Sequence, residues 1–315
     1  FTAEWCGPCA GASPDLDSLY NQQEPSFNMI KYHVFDDLQV PFSKRRGIQY
    51  QIKAVPTISV SGEKVILGWG AGCKLLTKDY LENWTAPENV SLAGKFEKTE
   101  NSIIIDAKFE CESYEDETIV YAAMVQDFFK YDCSNGEKLI RNIVIDGQDL
   151  EVFENGECSF EFEIKEEWFM PMTRCLVWIQ NESGILASVW LDFGNPVPDI
   201  KKAVLIVDNV VDFGDISLGK NYNRRIEISN FGEGIAKFNL ESTNPAIEFE
   251  SNIVIEPHET EKIKVTILNE ELKPGDVNIP VKIVAEEGIV SEVLPLEFSV
   301  EAVKLIEMKL ENSVG

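Results

Sequence analysis

The stretch FTAEWCGPCAGASPDLDSL, residues 1–19, decides the fold of the first part of the chain. Within it, Cys6 and Cys9 are separated by a Gly-Pro pair and fall at the predicted start of a helix. Unpaired backbone N–H groups and the helix dipole favour a thiolate at such a position, and the thiolate is the reactive form of cysteine. Pro8 is tolerated in the first helical turn, where its missing N–H costs little. The spacing therefore predicts a dithiol that closes and opens, with Cys6 exposed and more nucleophilic than Cys9.

A second stretch, QYQIKAVPTISVSGEKVILGWGAG at residues 49–72, supports the same fold. It predicts a hairpin over residues 59–67, and a helix is predicted after it over residues 75–84. The WCGPC pentapeptide, the proline five residues past Cys9 and the VPT tripeptide together resemble the thioredoxin family. The resemblance covers residues 1–86 and implies an α/β thioredoxin-like domain with a cis peptide bond before Pro56.

The resemblance also implies roles for individual residues. Cys6 would attack a substrate disulfide and Cys9 would resolve the mixed disulfide, with no cofactor. A substrate-binding surface would surround the dithiol, formed by Trp5, Gly7, Pro8, Val55, Pro56 and Thr57. The Gly-Pro spacer resembles that of reducing thioredoxins, which favours a reductant over an oxidant. The implied partners are proteins that carry disulfides and a redox partner protein.

Two other interpretations of the Cys6–Cys9 pair stay open. A CxxC pair can supply half of a zinc site, which needs a second pair or histidines nearby, and His33 is the only histidine in this region. The pair can also form a structural disulfide that never turns over. With one histidine in the region we predict no metal site, and the Gly-Pro spacer and the expected cis-proline favour turnover over a structural disulfide.

The sequence begins at Phe1, inside the strand that the thioredoxin family places before its dithiol. We therefore expect the domain as given to be incomplete at its N-terminus, with the family's buried carboxylate falling just before Phe1. A signal peptide or a lipid-anchor cysteine would also lie upstream, and a membrane anchor or assembly contacts would lie outside the given sequence.

The net charge of −26 over 315 residues excludes one class of partner and is distributed unevenly. Residues 87–199 carry 24 acidic and 8 basic side chains, whereas residues 1–86 carry 9 and 8. Nucleic acid is not expected as a partner, because phosphate binding needs basic side chains. No apolar run approaches the roughly 18–20 residues of a membrane-spanning helix. Most of the acidic residues are expected to form a solvated surface.

Short runs with period-two alternation replace the helical pattern after a linker at residues 85–89. They cover residues 90–97, 103–112, 118–128, 151–164, 175–181 and 185–193. Turn residues separate the runs, which predicts an antiparallel β-sandwich domain over residues 90–194. The run CLVWIQNESGILASVW resembles the final hairpin of the sandwich that follows a thioredoxin domain in some bacterial envelope lipoproteins.

Four of the seven cysteines fall in this middle region. They are Cys111, Cys133, Cys158 and Cys175. An even set within one β-rich segment is typical of disulfides formed in an oxidising compartment, and four cysteines allow three pairings. We therefore predict at least one disulfide in this set and an extracytoplasmic location. The alternative is that they are buried free thiols, since cysteine packs as a small hydrophobe.

A second all-β segment follows the linker at residues 194–199. Its Asp-Phe-Gly turn at 212–214, Asn-Phe-Gly at 230–232, IEPHET at 255–260 and Pro-Gly at 274–275 resemble the hydin-like and major-sperm-protein-like immunoglobulin domains. The resemblance implies an immunoglobulin-like β-sandwich over residues 200–302, which acts as a spacer or binding module. Residues 303–315 are predicted to be a tail or the start of a further element.

The expected protein is thus multidomain, with a thioredoxin-like domain followed by two all-β sandwich domains. The favoured function is that of an extracytoplasmic thiol–disulfide oxidoreductase that acts on protein disulfides. The alternative is a non-enzymatic cell-surface or filament-forming structural protein that carries a thioredoxin-like module.

Overall fold

The computed structural model describes fourteen stretches of the chain. They are residues 1–23, 27–62, 64–83, 85, 90–111, 118–151, 156–193, 202–207, 210–215, 221–242, 244–268, 277–285, 291–293 and 298–303. The chain forms two compact units, Phe1–Pro196 and Val197–Gly315. The first unit contains both segments that the sequence assigns to separate domains at 1–86 and 90–194, and this finer division stays a prediction. Among the described residues, no helix has the length and apolar character needed to cross a bilayer.

The first part of unit 1 has the α/β elements of a thioredoxin-like domain. They are α1 Gly7–Gln23, α2 Pro41–Gln49, β1 Thr57–Val60, β2 Lys64–Leu67 and α3 Ala71–Asn83. The predicted hairpin is confirmed, and Gly62 adopts φ +79° at its turn, a conformation that favours glycine. The closing helix begins four residues earlier than predicted, at Ala71.

Backbone hydrogen bonds between individual residues continue the sheet beyond this hairpin. The pairs are Thr57 with Phe1, His33 with Thr2, and Lys31 with Ile143. The last pair is parallel and lies at the start of a strand of the following β-sandwich. The thioredoxin-like part is therefore hydrogen-bonded to the sandwich, as well as joined to it by the linker.

The rest of unit 1 is an antiparallel β-sandwich, as the sequence predicts. Its strands are β3 Val90–Lys98, β4 Ser102–Cys111, β5 Ile119–Gln126, β6 Phe129–Lys130, β7 Leu139–Ile140, β8 Ile143–Glu151, β9 Glu157–Glu163, β10 Thr173–Asn181 and β11 Gly184–Asp192. One sheet has the order β11-β10-β5-β8 and the other the order β3-β4-β9, while β6 and β7 form a separate hairpin. The sequence alone did not predict β6, β7 or β8.

The two larger sheets pack over an apolar core. Alternate residues of β4, β5, β9 and β10 point into it, among them Ile103, Ile105, Val120, Met124, Phe160, Phe162 and Val177. This alternation is the pattern that buries one face of each sheet in a sandwich.

The four-stranded sheet is buried on its second face as well. Tyr121 of β5 and Trp178 of β10 stack on that face, with ring centroids 5.1 Å apart, and Phe42 of α2 packs edge-on against both rings. Helix α2 approaches β8 closely at Gly147, where an added Cβ would lie 2.3 Å from the Phe42 ring. The thioredoxin-like part thus covers the sandwich, which explains why β5 and β10 are apolar on both faces.

Unit 2 is a second β-sandwich. Its strands are β12 Ala203–Val207, β13 Val210–Asp215, β14 Tyr222–Asn230, β15 Ala236–Ser242, β16 Ile247–Phe249, β17 Ile253–Ile255, β18 Thr260–Ile267, β19 Val277–Ala285, β20 Ser291–Val293 and β21 Phe298–Val303. They form two sheets with the orders β16-β18-β14-β12-β20 and β13-β21-β19-β15-β17. The immunoglobulin-like assignment stays a prediction. The Pro-Gly pair at 274–275 and the tail beyond residue 303 lie outside the described residues.

The Asn-Phe-Gly tripeptide noted in the sequence has a structural role in unit 2. The buried Asn230 side chain accepts hydrogen bonds from the N–H groups of Val204 and Gly232, both at 3.1 Å, and donates to the carbonyls of Gly234 and Ile255. Its side chain therefore pairs backbone groups from three segments that the sheets leave unsatisfied.

Candidate functional site

The dithiol lies at the start of the 17-residue helix α1. Cys6 and Cys9 form a disulfide, with Cα atoms 5.2 Å apart. The backbone N–H of Cys9 donates to Cys6 Sγ at 3.1 Å, and the Cys6 carbonyl accepts from the N–H of Cys9 and of Ala10. A donor directed at Cys6 Sγ, added to the helix N-terminus, favours the thiolate form of Cys6 after reduction.

Both cysteines are buried, and the prediction of an exposed Cys6 is wrong. Cys6 is 2% exposed and Cys9 1% exposed. They form a small apolar cluster with Ala3, and Val55 packs against it. The sequence indicated exposure because helix N-termini lie at domain surfaces, but local motifs do not show which other segments of the chain pack beside the dithiol.

The segment opposite the dithiol matches the sequence prediction. The Val55–Pro56 peptide bond is cis, as predicted, and Val55 contacts the dithiol cluster. Pro56 and Thr57 are buried. The Pro56 carbonyl accepts from the N–H of Gly68 at 2.8 Å, and the Thr57 N–H donates to the Phe1 carbonyl at 3.1 Å. These backbone groups are therefore paired within the fold.

The three remaining residues of the predicted substrate surface are exposed. Gly7 and Pro8 lie at the surface in the first turn of α1. Trp5 is 52% exposed, and its indole N–H donates to the Phe35 carbonyl at 2.9 Å. Phe35 is equally exposed.

A buried polar network beside the dithiol was not predicted from the sequence. Asp36 Oδ2 accepts the backbone N–H of Glu4 at 2.7 Å and lies 2.7 Å from His33 Nδ1. The side chains of His33 and Asp36 are almost completely buried. This network fixes the backbone just before Cys6. The only sequence indication was the Asp-Asp pair at 36–37, which reads as the end of a strand.

A turn from the β-sandwich also contacts the WCGPC motif. Residues 133–137, Cys-Ser-Asn-Gly-Glu, form the tip of the hairpin made by β6 and β7. Asn135 N–H donates to the Glu4 carbonyl at 2.9 Å, and Asn135 Nδ2 donates to the Cys6 carbonyl at 3.1 Å. Both the N–H and the hydroxyl of Ser134 donate to Glu4 Oε2, at 2.9 and 2.7 Å. The Ser-Asn-Gly sequence predicted a turn, but nothing local indicated what the turn contacts.

The predicted disulfide in the middle region is wrong. Cys133, Cys158 and Cys175 are all buried free thiols, and any disulfide within the predicted set would need at least one of them. Burial raises the pKa of Cys158 to about 11 and raises the pKa of Cys175 further. Burial and then the carboxylate of Glu137 raise the pKa of Cys133 to about 11. These thiols are therefore protonated at neutral pH and pack as small apolar side chains.

Among the residues that the structure describes, metal-ligating side chains do not cluster around the dithiol. Across the described part of the chain, no group of three or more His, Cys, Asp or Glu side chains is arranged to bind a metal ion. The two cysteines of the motif are bonded to each other.

A helix-terminal CGPC disulfide, a cis-proline beside it and the α/β elements around it define a thioredoxin-like module. Comparison with known sequences agrees. The chain is 32% identical over 84 residues to thioredoxin 1 of Nostoc sp., a match that covers 26% of this chain and 73% of that protein. It is 33% identical over 67 residues to the thioredoxin of Porphyra purpurea, covering 21% of this chain and 57% of that protein.

The chain therefore belongs to the thioredoxin family, through the segment that contains the dithiol. This relationship supports a thiol–disulfide oxidoreductase module that acts on protein disulfides in general. About three quarters of the chain lies outside the matched segment.

The remaining comparisons do not assign the β-sandwiches to a family. No family model matches the chain. A protein of known structure from Agrobacterium tumefaciens aligns with 63% of this chain and 94% of its own length, at 17% identity and a TM-score of 0.46.

Proposed function

We propose that the protein is an extracytoplasmic thiol–disulfide oxidoreductase that reduces protein disulfides through Cys6 and Cys9. The observation that carries the proposal is the position of Cys6 Sγ at the start of α1, where it accepts the Cys9 N–H at 3.1 Å. This donor and the helix N-terminus stabilise a thiolate at Cys6. Val55, in contact with the dithiol, offers backbone groups to an extended substrate segment.

The proposed reaction has two steps. The Cys6 thiolate attacks one sulfur of a substrate disulfide, which forms a mixed disulfide and releases the other substrate sulfur as a thiolate. The Cys9 thiolate then attacks Cys6 Sγ, which forms the Cys6–Cys9 disulfide and releases the second substrate sulfur. Two electrons pass from the dithiol to the substrate, and a redox partner protein returns them.

The extracytoplasmic location is proposed on one argument only. The hairpin of β10 and β11 carries the sequence that resembles sandwiches following thioredoxin domains in bacterial envelope lipoproteins. The cysteines of the middle region give no support, because Cys133, Cys158 and Cys175 are free thiols.

Trapping of a mixed disulfide tests the proposed chemistry. A reduced Cys9→Ser variant is mixed with a peptide that contains one disulfide, and adducts are identified by mass spectrometry. We expect a stable adduct at Cys6, because no second thiol is present to resolve it. The matched Cys6→Ser variant should form no comparable adduct at Cys9. Absence of an adduct in Cys9→Ser, with the protein folded, would reject the proposal.

One observation favours a second function. Burial of both cysteines to 2% exposure or less is also expected of a structural disulfide in a non-enzymatic cell-surface or filament-forming protein. A structural disulfide should resist a mild reductant in the folded protein, whereas an exchange site should be reduced. The fraction of the Cys6–Cys9 disulfide reduced by a mild reductant without denaturant therefore separates the two functions.

A further inference from the structure

The β6–β7 hairpin projects from the four-stranded sheet towards the dithiol. Both of its ends leave the sheet at residues with left-handed backbone conformation, Phe128 at φ 53° and Asn142 at φ 52°. The base is fixed by Asp127, which accepts two hydrogen bonds from the Arg141 guanidinium, while both side chains are buried. A non-glycine residue rarely adopts this conformation, so the surrounding structure holds the hairpin in this direction.

The tip of the hairpin contacts the motif and other residues of the thioredoxin-like part through three kinds of interaction. Asn135 donates to main-chain carbonyls on both sides of Trp5, and Ser134 donates twice to the Glu4 carboxylate. The side chain of Cys133 lies in an apolar cluster against which Leu38 of the thioredoxin-like part packs. Hydrogen bonds to a carboxylate are stronger than those between neutral groups, so the tip is held closely on the motif.

Hydrogen bonds within residues 133–137 also fold the tip into a turn of its own. Asn135 Oδ1 accepts the N–H of Glu137 at 2.9 Å, the Cys133 N–H donates to the Glu137 carbonyl, and Gly136 adopts φ 96°. These bonds close a compact turn without any contribution from the motif. A turn that is folded by itself can leave and return without losing its own structure.

We infer that residues 133–137 form a cover over the Cys6–Cys9 dithiol, and that exchange with a protein disulfide requires this cover to open. The inference rests on the proposed function, because a cover regulates access only if the dithiol exchanges. It follows from the near-complete burial of Cys6 together with the direct hydrogen bonds of Asn135 and Ser134 to residues 3–6. The Ser134 hydroxyl and the Asn135 amide donate some of these bonds, so substitution of the two side chains can shift the opening equilibrium.

The test measures how accessible the Cys6 thiol is to a small reagent and does not depend on disulfide exchange. The full chain is reduced, and the rate at which iodoacetamide alkylates Cys6 is followed by mass spectrometry under native conditions. In the Ser134→Ala/Asn135→Ala variant, we expect alkylation of Cys6 to be at least about tenfold faster, because the variant loses the hydrogen bonds of the Ser134 hydroxyl to Glu4 and of the Asn135 amide to Cys6. Glu4→Gln, which leaves the hairpin intact and removes only the charged acceptor, should accelerate alkylation by about threefold or more.

The matched control is Ser159→Ala/Asn244→Ala. Ser159 donates to the Asp106 carboxylate at 2.9 Å in the three-stranded sheet, and Asn244 closes the same kind of turn in unit 2 by accepting the Ala246 N–H. These substitutions remove similar bonds that do not touch the motif, and the alkylation rate of Cys6 should not change.

The outcomes separate this inference from the proposed function. Equal alkylation rates in the wild type, both opened variants and the control would overturn the cover. Faster alkylation in the opened variants with no mixed disulfide trapped by Cys9→Ser would support the cover and reject the oxidoreductase. Trapping without any change in alkylation would leave the oxidoreductase in place and reject the cover.

Discussion

At the scale of single residues, the sequence places the dithiol correctly but misjudges its surroundings. Cys6, Cys9 and the cis bond before Pro56 follow from local motifs, and the structure brings them together. Cys6 is almost completely buried, and its carbonyl accepts a hydrogen bond from Asn135, about 130 residues away in the chain. No local pattern contains that contact, which explains why exposure was predicted.

The cysteines of the middle region show a second limit of sequence reasoning. An even number of cysteines indicates disulfides only if their strands bring the sulfur atoms together. Here Cys158 pairs with Ala107 in the sheet register and Cys175 pairs with Met124, so each thiol faces apolar neighbours. The number of cysteines gives no information about this register.

Labelling without reduction tests the assignment of the cysteines. We expect the denatured but unreduced protein to incorporate iodoacetamide at Cys133, Cys158 and Cys175, and not at Cys6 or Cys9, because the first three are free thiols and the last two are bonded to each other. Peptide mass spectrometry reads out each site. Protection of Cys158 or Cys175 that disappears on reduction would contradict the structure.

Gly147 offers a residue-scale test of the packing between α2 and β8. An added Cβ would lie 2.3 Å from the Phe42 ring, so Gly147→Ala should destabilise unit 1 by about 1–3 kcal/mol through overpacking. The measurement is the free energy of unfolding by denaturant. Gly72→Ala is the matched control, because a Cβ there meets no atom within 4 Å and alanine favours the helix by up to about 1 kcal/mol. Equal effects of the two substitutions would contradict the contact.

At the scale of elements, alternation predicts β4, β5, β9 and β10, whereas β8 was missed. Alternation identified β4 and β9, whose outer faces are polar. Gly147 lies within β8, and a glycine inside a strand weakens the sequence pattern of that strand. The close approach of the Phe42 ring requires a glycine at this position. The reason for that residue lies in another element.

The Asp127–Arg141 pair at the base of the β6–β7 hairpin gives an element-scale prediction for pH. Burial alone would raise the pKa of Asp127, but the charge and hydrogen bonds of Arg141 outweigh burial and lower it. A lowered folded-state pKa contributes stability that is fully present above the unfolded value of about 3.9 and is lost as the pH falls through the folded value.

The free energy of unfolding at acidic pH tests the contribution of the Asp127–Arg141 pair. We expect Asp127→Asn to destabilise unit 1 at pH 7 by about 3–5 kcal/mol, because Arg141 is left as a buried unpaired charge. The difference from the wild type should shrink below about pH 4. The exposed Lys95–Asp106 pair serves as a control, and Asp106→Asn should change stability by less than about 1 kcal/mol. A constant difference at all pH values would contradict the assigned role.

At the scale of the whole molecule, the thioredoxin-like part and the first sandwich share one compact unit. Phe42 and Tyr32 pack against Tyr121 and Trp178 across their junction. Composition and linkers suggested a boundary near residue 86, and they remain useful for locating the change of fold class. They do not report how much apolar surface the two segments bury against each other.

Phe42→Ala tests whether the two segments of unit 1 unfold together. We expect a loss of about 3–5 kcal/mol in the free energy of unfolding, since the side chain is almost completely buried. Hydrogen exchange should accelerate in α1 and in the three-stranded sheet alike. Phe96→Ala, at a partly exposed ring, should have a smaller effect. Faster exchange confined to the thioredoxin-like part would show that the segments unfold independently.

The central claim is that the start of α1 makes Cys6 the attacking thiol. The most direct measurement is the pH dependence of alkylation at Cys6 and at Cys9 in the reduced full chain, each followed by mass spectrometry. The helix N-terminus and the Cys9 N–H stabilise the Cys6 thiolate, so the midpoint at Cys6 should lie below the ordinary cysteine pKa of about 8.5 and below the midpoint at Cys9. Midpoints for both thiols at or above about 8.5, with no difference between them, would contradict the account.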